Sequence, residues 1–105
     1  MIVDQRTYTL VPGRLHAFLE LYEQEGLPIQ RRYLGEPIGY LTVETGPQNQ
    51  VVHLWGYASA AEREQRRGEM EQDPDWIAYR RKSADTGNVQ YQENKLLRSV
   101  SFSPL

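Results

Sequence analysis

The stretch from Val51 to Trp76 changes its period twice, and this limits what the chain can become. Val51, His53, Trp55 and Tyr57 alternate with Val52, Leu54, Gly56 and Ala58, the period-2 pattern of a strand whose two faces differ. Ser59 and Glu62 then stand at the S-x-x-E spacing of a capping box, in which each side chain satisfies a free backbone N–H of the other end. Arg63 to Met70 continues as helix. Asp73-Pro74 interrupts and restarts it: Asp73 is an N-cap, Pro74 occupies the first helical position, where no N–H is needed, and Asp75 lies beside the positive helix end.

The flanks complete the order. Ile2 to Leu10 reads as a strand with Ile2, Asp4, Arg6, Tyr8 and Leu10 on one face and Val3, Gln5, Thr7 and Thr9 on the other. Pro12-Gly13 ends it. Leu15, Phe18, Leu19 and Tyr22 then follow the i, i+3, i+4, i+7 spacing of a helix face. Gly26 is expected to stop this helix in a left-handed conformation, with Pro28 opening a second piece that runs to about Tyr33 or Leu34. Glu36 to Thr45 is the second strand, Gly46-Pro47-Gln48-Asn49 a hairpin-type connection, and Gln50 to Ala58 the third strand, antiparallel to the second. Trp76, Ile77 and Arg80 continue along one face of the last helix, which Gly87-Asn88 ends. Val89 to Phe102 is extended, with Leu96, Val100 and Phe102 in phase.

The order β-α-β-β-α-β over residues 1–105 predicts one α+β domain of the ferredoxin-like, split βαβ type: a four-stranded antiparallel sheet with its helices on one face. The other face still carries large side chains, more than the ~300–600 Å² of apolar patch a typical monomer exposes. A second copy related by a two-fold axis is therefore expected to cover it. A 105-residue chain with 39% hydrophobic residues has enough apolar content for a packed core. The net charge of −2 argues against a nucleic-acid binder, which usually carries a basic excess. With no cysteine there are no disulfides and no thiolate chemistry, which suits a cytoplasmic setting. No apolar run approaches the ~20 residues of a membrane span. Met1 to Leu10 lacks the charged start and apolar core of a signal peptide.

Chemistry concentrates on the third strand. His53, Trp55 and Tyr57, bulky and polar-tipped, are expected to line a cavity facing the partner sheet, joined by Arg6 and Tyr8 from the first strand and Tyr40 from the second. Val52, Leu54, Gly56 and Ala58, small and apolar, are expected to pack beneath the helices. Three readings of the bulky face stand side by side: filling of the dimer core, binding of a small ligand, and proton transfer by His53, the candidate catalytic residue. Arg67 and Trp76 form a second cluster. In the bland reading Arg67 pairs with a carboxylate and Trp76 anchors the helix restart; in the other, Arg67 holds an anionic ligand at the pocket mouth. His16 and Glu20, at i, i+4, are two ligands without a third, so no metal site is expected. Of the basic clusters Arg31-Arg32, Arg66-Arg67 and Arg80-Arg81-Lys82, the middle one is interleaved with Glu62, Glu64, Glu69, Glu71 and Asp73; solvated surface is the default reading and a phosphate-binding patch the alternative. Phosphate-loop, nucleophile-elbow and zinc-protease motifs are absent, and no cofactor is expected.

The residues His53-Leu54-Trp55-x-Tyr57, then Arg63, Arg67 and Met70, then Asp73-Pro74-x-Trp76-x-x-Tyr79, resemble the core signature of the NIPSNAP family. Arg6-Thr7-Tyr8-Thr9-Leu10-x-Pro12-Gly13 resembles its opening motif and Ser101-Phe102-Ser103-Pro104-Leu105 its ending. The resemblance implies a dimeric α+β barrel, a homodimer in which two ferredoxin-like sheets face each other. Animal members of the family are associated with mitochondria and with vesicle- or autophagy-linked interactions. Related barrels include cofactor-independent monooxygenases, haem-handling enzymes and small-molecule isomerases. Three functions follow as alternatives: a small apolar or aromatic ligand bound in a barrel pocket, a protein-interaction module, and a cofactor-independent oxygenase or isomerase.

Overall fold

The computed structural model describes residues 1–105 and places four strands where the alternation lies: β1 Ile2–Leu10, β2 Gly39–Thr42, β3 Gln50–Tyr57 and β4 Val89–Arg98. They form an antiparallel sheet in the order β2-β3-β1-β4. Helices α1 Leu15–Leu21, α2 Leu27–Leu34, α3 Ala60–Glu71 and α4 Pro74–Thr86 pack on one face. This is the α+β, ferredoxin-like arrangement expected.

Element ends differ from expectation for identifiable reasons. β2 is four residues long rather than the ten of Glu36–Thr45. Pro37 has no N–H to give a ladder, so pairing starts beyond it, where Ile38 N–H donates to Leu54 O at 2.8 Å. β4 stops at Arg98 rather than Phe102 because its partner β1 begins at Ile2, the residue opposite Arg98. Ser99 N–H still reaches Met1 O at 3.0 Å, and beyond it Phe102 sits 88% exposed.

Gly26 does not end a helix in a left-handed turn; it is right-handed helical, at φ −85°. The chain passes from α1 to α2 through a π-helical turn, Tyr22–Gly26, closed by Leu27 N–H to Tyr22 O. Pro28 cannot donate to the carbonyl four residues back, and the wider turn absorbs that missing bond. A Cβ on Gly26 would lie 2.7 Å from the Tyr79 ring, so glycine here permits close approach rather than unusual dihedrals.

The N-caps form at the residues read, except that the Glu62 carboxylate reaches Ala58 N–H rather than Ser59 N–H. Glu62 N–H donates to Ser59 Oγ at 3.1 Å, and Glu62 Oε2 accepts in return from Ala58 N–H. Asp75 N–H donates to Asp73 Oδ1 at 2.7 Å. Gly87 closes α4 in the left-handed region, at φ 67°.

The sheet's two faces are the reverse of the expectation. Val51, His53, Trp55 and Tyr57 lie buried beneath the chain's own helices, and Val52, Leu54 and Gly56 look away from them. The main core joins Trp55 and Tyr57 to Tyr22, Ile29, Leu34, Met70, Trp76 and Tyr79. A smaller cluster joins Leu10, Phe18 and Val51. The space between a sheet and a helix layer has to be filled to interior density, and bulky side chains fill it where glycine does not. Burying each large apolar side chain contributes about 1.5–3 kcal/mol, so the bulky set goes inside. Gly56, on the outer face, is covered by Ile38, whose Cδ1 would stand 2.9 Å from an added Cβ.

Candidate functional site

The site is built across three strands. Register places Arg6 of β1 and Tyr40 of β2 on either side of His53. Above them, α1 and the π turn lower Phe18 and Tyr22, and α4 lowers Trp76 and Tyr79. Aromatic rings surround His53: Tyr40 at 4.2 Å edge-on, Tyr8 and Tyr22 each at 4.9 Å, and Phe18 at 6.3 Å between ring centres. A cavity of about 390 Å³ remains between sheet and helices. Of the expected ligand-binding residues, Arg6, Tyr8, His53, Arg67 and Trp76 line it.

Tyr40, Trp55 and Tyr57 do not line it. Trp55 is 1% exposed and packs in the main core with Tyr57. Tyr40 stands edge-on to Trp55 and turns its hydroxyl to Tyr22 and Gln30. Tyr40 instead borders a second, more open depression of about 500 Å³, with His16, Leu19 and Glu20 of α1. The cavity lies between the sheet and the chain's own helices, and His53, expected on the face turned to a partner sheet, lines it from the inner side.

Burial decides the chemistry of His53. Loss of solvent, helped by the positive charge of Arg6, lowers its pKa to about 3. It is neutral at pH 7 and a poor proton acceptor there, so it does not match the proton shuttle the sequence suggested. Burial likewise pushes the Tyr79 hydroxyl up to about 12 and raises those of Tyr40 and Tyr57.

Arg6 is held from behind by Asp4, which the sequence reading left without a role. Asp4 is fully buried. Its Oδ2 lies 3.2 Å from Arg6 Nη1 and 3.0 Å from Arg63 Nε, and its Oδ1 accepts from Asn94 Nδ2 at 3.0 Å. Burial opposes its charge, but Asn94, Arg6 and Arg63 outweigh that and hold its pKa below the usual carboxylate value. Arg6 Nε–H then donates to the Tyr8 hydroxyl at 3.1 Å, which leaves the Tyr8 proton free for an acceptor in the cavity. A buried carboxylate needs a cation partner. That Arg63, 59 residues away, would supply it was not legible.

Arg67 departs from its expected pairing with a carboxylate. It makes none of the chain's ion pairs. Asp4, the buried carboxylate that α3 reaches, is taken by Arg63 one turn earlier, and Glu62 is taken by Arg66 at 2.8 Å. Arg67 has the Tyr57 hydroxyl beside its guanidinium but no charged acceptor, and His53 Nε2 and Trp76 Nε1 are buried without a hydrogen-bond partner, as is Trp55 Nε1 away from the cavity. Trp76 does anchor the helix restart, at 6% exposure in the main core. Its neighbour Ile77 points outward, 46% exposed, while Tyr79 and Ser83 share the cavity with Arg80. Phe18 and Tyr22, on the core stripe of the first helix, were visible as core but not as cavity wall.

The NIPSNAP family profile matches residues 3–104. The chain is similar to a NipSnap homolog protein of Dictyostelium discoideum, at 33% identity over 94% of this chain and 43% of that protein. It spans less than half the length of the curated relatives it matches. It is similar to a crystal structure of an Agrobacterium tumefaciens protein, with a TM-score of 0.91 and 38% identity, covering 100% of this chain and 99% of that one. An antibiotic biosynthesis monooxygenase shares the fold at a TM-score of 0.64 and 13% identity, covering 95% of this chain and 99% of that one. No helix is long and apolar enough to cross a membrane. By profile, sequence and backbone together, the chain belongs to the NIPSNAP family.

Proposed function

We propose that this chain is a homodimeric NIPSNAP domain that binds a small, largely apolar or aromatic ligand in the cavity between its own sheet and helices. One observation carries the reading. A cavity of about 390 Å³, walled by Tyr8, Phe18, Tyr22 and Tyr79, also contains lining residues whose buried polar atoms, His53 Nε2 and Trp76 Nε1, lack protein partners. The volume lies within the ~300–1,000 Å³ of small-molecule sites. Leaving a buried donor or acceptor unsatisfied costs roughly 1–3 kcal/mol. A packing-only role would gain by filling the space and pairing these atoms. A ligand with an apolar body and one polar end does both. The neutral His53 supports binding more than proton transfer, so the reading stops short of a reaction.

The homodimer is supported by the outer sheet face. Leu41, Tyr91 and Leu97 are 55%, 59% and 41% exposed there, beside Val52 and Leu54. The cavity opens away from that face, so the ligand site is complete within one protomer.

The test is a thermal-shift titration with 1-naphthalenemethanol as a neutral aromatic probe, against wild type and Ala84→Trp. Ala84 lies on the exposed side of the cavity wall, so the added indole narrows the entrance without disturbing the core. The expected outcome is a concentration-dependent rise in Tm for wild type, since a ligand bound only by the folded state stabilises it, with little or none for the variant. Equal shifts for both proteins place binding elsewhere and overturn the reading.

A further inference from the structure

Charge is distributed unevenly around the cavity. The chain as a whole is acidic, with 14 Asp and Glu against 12 Lys and Arg. Yet Arg6, Arg67 and Arg80 line the cavity, and no Asp or Glu does. Of the three, only Arg6 has a carboxylate, and Asp4 divides that single negative charge between Arg6 and Arg63. Arg67 and Arg80 have no ion pair at all. Arg80 is exposed at the rim, while Arg67 is half-buried, with the neutral Tyr57 hydroxyl beside its guanidinium and no carboxylate to balance its charge.

A guanidinium in that condition needs an anionic oxygen more than any other group. Its forked, permanently charged donors match a carboxylate, and a desolvated setting strengthens the contact. Trp76 Nε1–H is a donor without an acceptor, and it is 94% buried by solvent exposure. The Tyr8 hydroxyl, already accepting from Arg6, has its own proton to give. All of these can donate, and none of the lining residues offers a carboxylate in competition. The rings of Phe18, Tyr22 and Tyr79 form the apolar remainder of the wall.

From this asymmetry we infer that the cavity selects anions, specifically a small molecule with a carboxylate on a flat apolar body. The carboxylate sits on Arg67 and Trp76, and the body lies among Phe18, Tyr22 and Tyr79. Arg80 at the rim draws the anion in. The inference rests on the proposed ligand-binding role and names the chemical class of ligand.

The experiment is calorimetric titration of the full chain with three probes that share one ring system: 1-naphthoate, 1-naphthalenemethanol and 1-naphthylmethylammonium. Naphthoate should bind about tenfold tighter than the alcohol, the order expected when a charge-assisted hydrogen bond replaces a neutral one. The ammonium should bind more weakly than the alcohol. Arg67→Met keeps an unbranched apolar stem, removes the guanidinium and breaks no ion pair, so its circular dichroism should match wild type. In that variant naphthoate should fall to the affinity of the alcohol, while the alcohol itself changes little. If naphthoate and alcohol bind equally to wild type, anion selection is overturned and the proposed ligand-binding role stands. A preference that survives Arg67→Met overturns the assignment to Arg67. If none of the three binds, both the inference and the proposed function fail.

Discussion

At the scale of single residues, the site is governed by what each side chain loses when water is removed. His53 shows this most directly. Folded, it resists protonation until about pH 3; unfolded, it takes a proton near its ordinary value of 6.5. Between those two values the unfolded chain binds one more proton at this position. Stability therefore falls on acidification through that window, by up to about 1.4 kcal/mol per pH unit. From pH 7 to pH 5 the contribution of His53 amounts to about 2 kcal/mol of lost stability. Asp4, whose folded pKa is depressed, adds to acid sensitivity only near and below its unfolded value of 3.8, so the two effects separate. His53→Gln should flatten the slope of unfolding free energy between pH 7 and pH 5, read by urea titration at each pH. The slope, not the absolute stability, is the decisive quantity, and parallel slopes for variant and wild type contradict the account. Much of this was legible early. Period-2 alternation put Arg6 with Tyr8 on one face of β1 and Tyr40 on one face of β2, and the strand register then brought both faces to His53. That His53 would be neutral was not legible, because desolvation depends on helices far away in the chain.

At the scale of elements, local chemistry and packing pull on the same residues, and magnitudes decide between them. Gly26 and Gly68 make the contrast. Both are helical, and replacing a helical glycine by alanine gains up to about 1 kcal/mol of helix propensity. At Gly68, in α3, an added Cβ meets nothing within 4 Å, so Gly68→Ala should stabilise by about that amount. At Gly26 the same Cβ meets Tyr79 at 2.7 Å and Tyr22 at 2.9 Å, both rings held in the core. Overpacking of this kind costs typically 1–3 kcal/mol, which outweighs the propensity gain. Gly26→Ala should therefore lower Tm while Gly68→Ala raises it, as differential scanning calorimetry can show. Because Tyr22 and Tyr79 also wall the cavity, Gly26 couples the α1–α2 junction to the site. The caps at Ser59 and Asp73 were readable from sequence because they involve residues two or three apart. The π turn was not, since it answers both to Pro28 and to the ring of Tyr79 on another helix.

At the scale of the whole molecule, the helices cover one face of the sheet and leave the other open. The outer face mixes Leu41, Val52, Leu54, Tyr91 and Leu97 with Thr7, Gln5 and Lys95. The proposed dimer buries this surface. Val52→Glu places a charge near the middle of the face, where Val52 stands between Thr7 and Leu41. In the dimer that charge would be desolvated without a partner, a cost large enough to favour separation. Sedimentation velocity should show a dimer for wild type and a monomer for the variant, with the far-ultraviolet circular dichroism retained. Naphthoate binding should survive in that monomer, because Arg67, Trp76 and His53 all come from one chain. A wild-type protein that sediments as a monomer at micromolar concentration overturns the dimer and leaves the ligand site untouched.

By itself the sequence determined the order and kind of the elements, the caps that bound the later helices, the residues that share each face of each strand, and the family. Each of these depends on residues a few positions apart, where periodicity and hydrogen-bonding reach are sufficient. Only the tertiary structure decided which face of the sheet turned inward. Alternation defines two faces but is indifferent to which is buried; the volume under α1 to α4 chose the bulky one. It also decided that Arg63 rather than Arg67 meets Asp4, because one buried carboxylate cannot fully neutralise every guanidinium within reach. Arg67 is left charged beside an open cavity, a consequence of three-dimensional competition that no local pattern records.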